Sequence, residues 1–191
     1  MSDSNLTSNK GTKLFATDNM VSVTKGDDKS WGICGSMSAR WIQEGLKKNA
    51  PIVKSGDMPS THNIAITQGA WTINASKDNA SMGKWLLDTF NLKSGTIKVG
   101  KIESWRTVAG VAQTTPGYLL FTVKGGTAKA GHAMAFHIGG QGQKSYYLDP
   151  NVGVYSFANA ADCALAVANH MKTHYDNYKN GEYKLYPTTE D

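Results

Sequence analysis

The sequence is short of cysteine, of proline, of long apolar runs and of blocks of like charge, and each shortage excludes something. Two cysteines, Cys34 and Cys163, cannot staple a disulfide framework, so synthesis in a reducing cytoplasm is expected. Five prolines against 20 glycines mean many turns and few rigid linkers, without low-complexity bias. The apolar run from Tyr118 to Val123 is broken by Thr122, and no run in the chain approaches the ~18 residues of a membrane span. The N-terminal stretch is polar, so no secretory signal peptide is expected. Basic residues outnumber acidic ones, 20 to 15, for a formal charge of +5. No Lys/Arg block accompanies this excess, so the charge singles out no nucleic-acid or membrane partner.

What is present is enough for one core. The chain has 191 residues, 40% of them hydrophobic, which fits one domain and a sizeable buried interior. Residues 1–27 are rich in Ser, Asn, Thr, Asp and Lys and read as a flexible leader, with a short strand at Met20–Val23. The domain proper is expected over 28–191.

Apolar residues at Cys34, Met37, Trp41, Ile42 and Leu46 follow a helical period, and Asn49-Ala50-Pro51 stops that helix. The stretch His62–Ile73 fits helix or strand. A helix is predicted over 81–90, and a short one after Ser104. The texture then changes. Tyr118–Val123, His132–Ile138, Ser145–Leu148 and Val154–Phe157 read as strands separated by Gly-rich turns, the pattern of an antiparallel sheet. A helix over 160–174 follows, with Tyr183–Tyr186 predicted as an edge strand. Helices first and then a meander give an α+β class.

Three residues combine into a chemical pattern. Cys34 opens the first predicted helix, where the backbone dipole favours a thiolate; taken alone, a free cysteine is more often a small core residue. His132 opens a strand, an accessible and rigid position for a base. Strand alternation puts His132 and His137 on opposite faces, so at most one of them meets Cys34, and His137 reads as an ordinary surface or core histidine. Asp149 ends the next strand, within reach of His132, although Asp is also common turn chemistry. Cysteine on a helix with histidine and carboxylate on a facing sheet is the logic of thiol proteases. His170 and His174, at i and i+4, have metal-ligand spacing but no evident third ligand, so no metal and no cofactor are expected.

The segment Gly32-Ile-Cys34-Gly-Ser-Met-Ser38-Ala-Arg-Trp41-Ile42 resembles the nucleophile helix of the YopT/AvrPphB-type bacterial effector cysteine proteases, a branch of the papain-like clan. Gly131-His132-Ala133-Met-Ala135 is similar to their histidine strand. Tyr147-Leu-Asp149-Pro150-Asn151-x-Gly153-x-x-x-Phe157 looks like their Asp-Pro-Asn-x-Gly block. The resemblance runs from about residue 31 to 160 and leaves 50–115 unmatched. It implies a papain-like fold, a Cys34-His132-Asp149 triad, no cofactor, a protein substrate inside a target cell, and delivery by a bacterial secretion system. The amide that papain-like enzymes place five or six residues before the cysteine is absent, because Asp28 and Lys29 stand there.

The resulting expectation is a cysteine endopeptidase acting on one or a few proteins. Trp31 is a candidate wall of its groove, Trp71 and Trp85 are candidate contacts, and the loop Gly125–Gly131 is expected to close over a bound peptide. In a toxin setting a cognate immunity protein with an acidic face would fit the basic chain. A glutamine deamidase or transglutaminase and a peptidoglycan amide hydrolase use the same Cys-His chemistry, and a binding module with an inert Cys34 is the non-enzymatic alternative.

Overall fold

The computed structural model describes residues 4–17, 20–21, 31–60, 63–69 and 87–190. Its helices are α1 (Ser4–Ser8), α2 (Cys34–Lys47), α3 (Trp105–Gln113) and α4 (Ala160–His174), with helical stretches also at 63–69 and 87–89. The strands are β1 (Thr12–Phe15), β2 (Met20–Val21), β3 (Trp31–Gly32), β4 (Leu92–Ser94), β5 (Lys98–Lys101), β6 (Gly117–Lys124), β7 (His132–Ile138), β8 (Ser145–Asp149), β9 (Gly153–Phe157) and β10 (Glu182–Glu190). Eight of them form one antiparallel sheet in the order β1-β9-β8-β7-β6-β10-β4, with β5 also on β10. β2 and β3 make a separate pair.

Helices cover both faces, and the sequence builds each face by simple alternation. Along β7, Met134 and Phe136 enter one core together with α3 and α4. Ala135 enters the other, against Met37, Trp41 and Ile42 of α2. Small residues on the α2 face of β7 let the helix come close. Gly45 does the same from the helix side, since a Cβ there would collide with the Tyr118 ring. Trp41 is fully buried, and its indole N–H is satisfied by the Ile52 carbonyl at 3.1 Å, so the large apolar ring carries no orphaned donor. The ends of α3 and α4 follow from their caps: Ser104 Oγ accepts the Arg106 N–H, and Asn159 Oδ1 accepts the Asp162 N–H.

Two expectations need correction, and one open reading is resolved. Residues 4–17 are not a loose leader. Leu6 is fully buried, Lys10 Nζ pairs with Asp162 at 3.1 Å, and β1 pairs with β9. The polar composition conceals one buried leucine and an edge strand whose backbone provides the hydrogen bonds. β10 is not an edge strand: it runs from Glu182 to Glu190 between β6 on one side and β4 and β5 on the other. Its two short partners, β4 and β5, lie in the part of the sequence without alternation. The ambiguous stretch after His62 is helical over 63–69 and packs Ile64 and Ala65 against the α2 core. Of the helix predicted over 81–90, residues 87–89 are helical and 81–86 lie outside the described residues.

Candidate active site

Cys34 is the first residue of α2. Its N-cap position is held by Ile33, which has no side chain to offer the orphan N–H groups of the first turn. Gln68, buried in the 63–69 helix, supplies a cap from outside: its Oε1 accepts the Ser36 N–H at 3.0 Å. The thiol is nearly buried. Burial pushes it up, but the His132 hydrogen bond and charge, with the backbone N–H groups of Ala133 and Gly35, outweigh that and hold its pKa below the ordinary thiol value.

His132 and Asp149 come together through strand register. Phe136 of β7 stands opposite Tyr147 of β8, so the even residues of β7 and the odd residues of β8 share a face. His132 opens its strand and Asp149 closes the next, which puts both at the same end of the sheet. His132 Nε2 lies 3.1 Å from Asp149 Oδ1, and Tyr175 stacks on the His132 ring at 5.0 Å between centroids and 15° between planes. Burial pulls the histidine down, but the bonds and charges of Asp149 and Cys34 raise it well above its ordinary range. Burial also pushes Asp149 up, yet His132 and His170 hold its carboxyl far below the usual carboxylate range. The three shifts run in one sense: each favours the charged form of its group, thiolate, imidazolium and carboxylate.

The face that carries His132 and Asp149 is the one α4 covers, whereas α2 packs on the opposite face. His137 is on the α2 face, half-buried between the rings of Tyr118 and Tyr146. Cys34 therefore meets the histidine from the other side of the sheet, and does so only because both residues sit at element ends.

Sequence reasoning missed much of what surrounds this centre. The Asp149 carboxylate accepts four hydrogen bonds: His132 Nε2 and the Asn151 N–H at 3.0 Å on Oδ1, and His170 Nε2 at 2.9 Å and the Tyr175 hydroxyl at 2.8 Å on Oδ2. Asn151 Nδ2 in turn donates to the Tyr175 hydroxyl at 2.7 Å. Asn151 lies inside the Asp-Pro-Asn segment already singled out. Nothing local marks Tyr175, just past α4, or Gln68. His170, noted in the sequence only for its spacing from His174, hydrogen-bonds to Asp149. The Gly125–Gly131 loop, expected to close over a peptide, is tied down: the Thr127 N–H donates to the Asn177 carbonyl at 2.8 Å and the Tyr178 hydroxyl to the Ala130 carbonyl at 2.9 Å. Asp28, Lys29, Trp71, Trp85 and the Trp31 side chain lie outside the described residues.

Comparison with solved structures places this architecture. The crystal structure of the Pseudomonas avirulence protein AvrPphB aligns over 82% of this chain and 91% of its own, with a TM-score of 0.59 and 15% sequence identity. The chain shares the fold of AvrPphB. Its class is thus α+β and papain-like, as the resemblance implied. No protein-family profile matches the chain, and no curated protein matches it in sequence.

Proposed function

We infer that this chain is a cysteine endopeptidase of the effector type, with Cys34 as nucleophile, His132 as acid and base, and Asp149 as the group that orients His132. The observation that carries this reading is His132, bonded to Asp149 through Nε2 and facing a nearly buried thiol at a helix N-terminus. The fold likeness to an avirulence protein adds to it.

The chemistry follows from the charges. Asp149 engages Nε2, which leaves Nδ1 of His132 for the thiol proton. The Cys34 thiolate attacks the scissile carbonyl and the carbonyl oxygen takes up negative charge. The Cys34 N–H, at the positive end of α2, is a suitable oxyanion donor. His132 then gives its proton to the leaving amine, and the acyl group remains on Cys34 as a thioester. His132 next takes a proton from water, hydroxide attacks the thioester, and the thiolate is regenerated. Asp149 stays ionised and stabilises the imidazolium throughout. The substrate is a protein in a target cell reached through a bacterial secretion system, and a cognate immunity protein belongs to the toxin version of that setting.

The test is N-terminal labelling of a target-cell lysate incubated with the protein or with Cys34→Ala. New protein N-termini made only by the wild type, at one or a few sites, are expected. Gln-to-Glu conversion without new termini would replace the reading with a deamidase, release from a cell-wall peptide with an amidase, and no change of any kind with a binding module.

A further inference from the structure

His170 is a buried histidine in an apolar helix face, and that placement asks for a reason. Its neighbours on the buried side of α4 are Cys163, Ala166, Val167 and Met171. A leucine would fill such a position without a polar atom to satisfy. Instead His170, with no exposed surface, puts Nε2 2.9 Å from Asp149 Oδ2, closer than His132 stands to Oδ1. A carboxylate only accepts, so the hydrogen is on His170 Nε2. Nδ1 of the same ring is buried and has no hydrogen-bond partner among the described residues, which leaves Asp149 as the polar anchor of this side chain.

We propose that His170 is a positioning residue for the triad: it fixes the plane and charge of Asp149, so that Oδ1 alone is presented to His132. This rests on the Cys34-His132-Asp149 reading above. His170 is suited to isolating that role. Tyr175 and Asn151, the other groups around Asp149, also approach His132, at 3.2 and 3.5 Å, and removing either disturbs two contacts at once. His170 touches Asp149 and acts on His132 only through it. The titratable groups facing the His170 ring are Asp149 from β8, Tyr147 from β8 at 6.4 Å, His174 one turn on at 4.9 Å, and Tyr175 at 5.7 Å between ring centroids. Asp149 is the one anion among them. Without the Nε2 donor Oδ2 keeps only the Tyr175 hydroxyl, so the carboxylate plane is held less firmly; its charged form also loses a stabilising bond, so it takes up a proton at higher pH and releases His132 when it does.

The experiment compares His170→Leu, His170→Gln and His170→Asn in the full-length protein. Gln places its amide nitrogen near the histidine Nε2, whereas Asn is too short to reach Asp149. Three readouts are taken: the pH profile of Cys34 alkylation by iodoacetamide, kcat and KM on a peptide carrying the mapped cleavage site, and the melting temperature. The expected result is a roughly 10- to 100-fold lower kcat in His170→Leu and His170→Asn with KM unchanged. The acid limb of alkylation moves to higher pH in both, and His170→Gln restores wild-type behaviour. If His170→Leu does not fold, the Gln and Asn pair carries the test. Equal kcat and equal alkylation profiles in those two, whatever their melting temperatures, overturn the proposal and leave His170 a structural tether of α4. If wild-type Cys34 itself alkylates only in the ordinary thiol range, the triad reading falls and this one with it.

Discussion

The two faces of the central sheet are built differently. The α2 face is closed by apolar packing: Trp41, Ile42 and Met37 against Leu120, Ala135, Leu148 and Val154. The α4 face has its own apolar core, but at one end it gives way to a buried polar network of His132, Asp149, Asn151, His170 and Tyr175. The proposed nucleophile, Cys34, belongs to the first face, and the groups proposed to govern it belong to the second. Apolar packing fixes where Cys34 stands; hydrogen bonds fix which way His132 and Asp149 point. A loss on the α2 side should therefore act mainly on stability, and a loss in the network mainly on rate.

The largest effect expected is on rate. Cys34→Ala should abolish turnover, and Asp149→Ala should lower kcat by ~10³-fold or more. Adding Asp149→Ala to Cys34→Ala should cost nothing further, because the residues act as one unit. Single-turnover and steady-state kinetics on the mapped site check this, and a Cys34→Ala protein with full activity removes the triad from consideration.

Next comes a stability effect of the opposite kind. Trp41→Ala should destabilise the fold by about 3–5 kcal/mol, since it opens a large cavity under α2 and strands the Ile52 carbonyl. Tyr175→Phe, which removes only a hydroxyl from the network, should reduce kcat several-fold with a far smaller stability loss. Urea denaturation of both variants breaks the comparison if the two losses of stability are equal.

The pH dependence sharpens it. Asp149 is depressed in the folded state, so its contribution to stability is present above the unfolded carboxyl range, about 3.9, and is lost as pH falls through the folded value. His132 is raised to about 10, so its contribution is complete below the unfolded value near 6.5 and is lost as pH rises toward the folded one. The stability gap between wild type and Asp149→Asn should be widest between about pH 4 and 6.5 and should close on the alkaline side. Denaturation midpoints across that range measure it. The thiols should divide in the same sense. Cys34 should react with iodoacetamide below the ordinary thiol range, whereas Cys163, fully buried with its pKa pushed up by burial alone, should stay inert until the protein unfolds.

The smallest effects lie at the margins of each face. Gln68→Leu removes the outside cap of α2 and should cost about 1 kcal/mol, with a few-fold lower kcat as the Cys34 end of the helix loosens. Lys10→Ala breaks an exposed ion pair with Asp162 and should cost under about 1 kcal/mol, diminishing with salt.

How much of this could be read in advance differs by residue. Met37, Trp41 and Ile42 announce α2 because a helix against a sheet needs apolar residues every three to four positions, and that spacing is local. Met134, Ala135 and Phe136 announce β7 for the same kind of reason, with a period of two. Cys34, His132 and Asp149 were legible because each stands at an element end that composition and turns mark, and because three quoted motifs occur in order. β1 and the full pairing of β10 are not legible in the sequence, because their partners are distant strands, β9 for one and β4, β5 and β6 for the other. Backbone hydrogen bonding between strands far apart in sequence leaves little trace in either one.

The sequence by itself determined the class of fold and the periodic elements, and it singled out the three residues of the candidate triad, since these depend on spacing within short segments. The tertiary structure decided by what route His132 reaches the thiol and which groups hold the carboxylate. His137 has the face that α2 covers, yet His132 makes the contact, because only a residue at the end of the strand can reach around it. His170, Tyr175 and Gln68 enter the site from separate segments whose positions are fixed by packing against the two faces of the sheet. Their roles follow from the directions of hydrogen bonds across the core, which no spacing along the chain encodes.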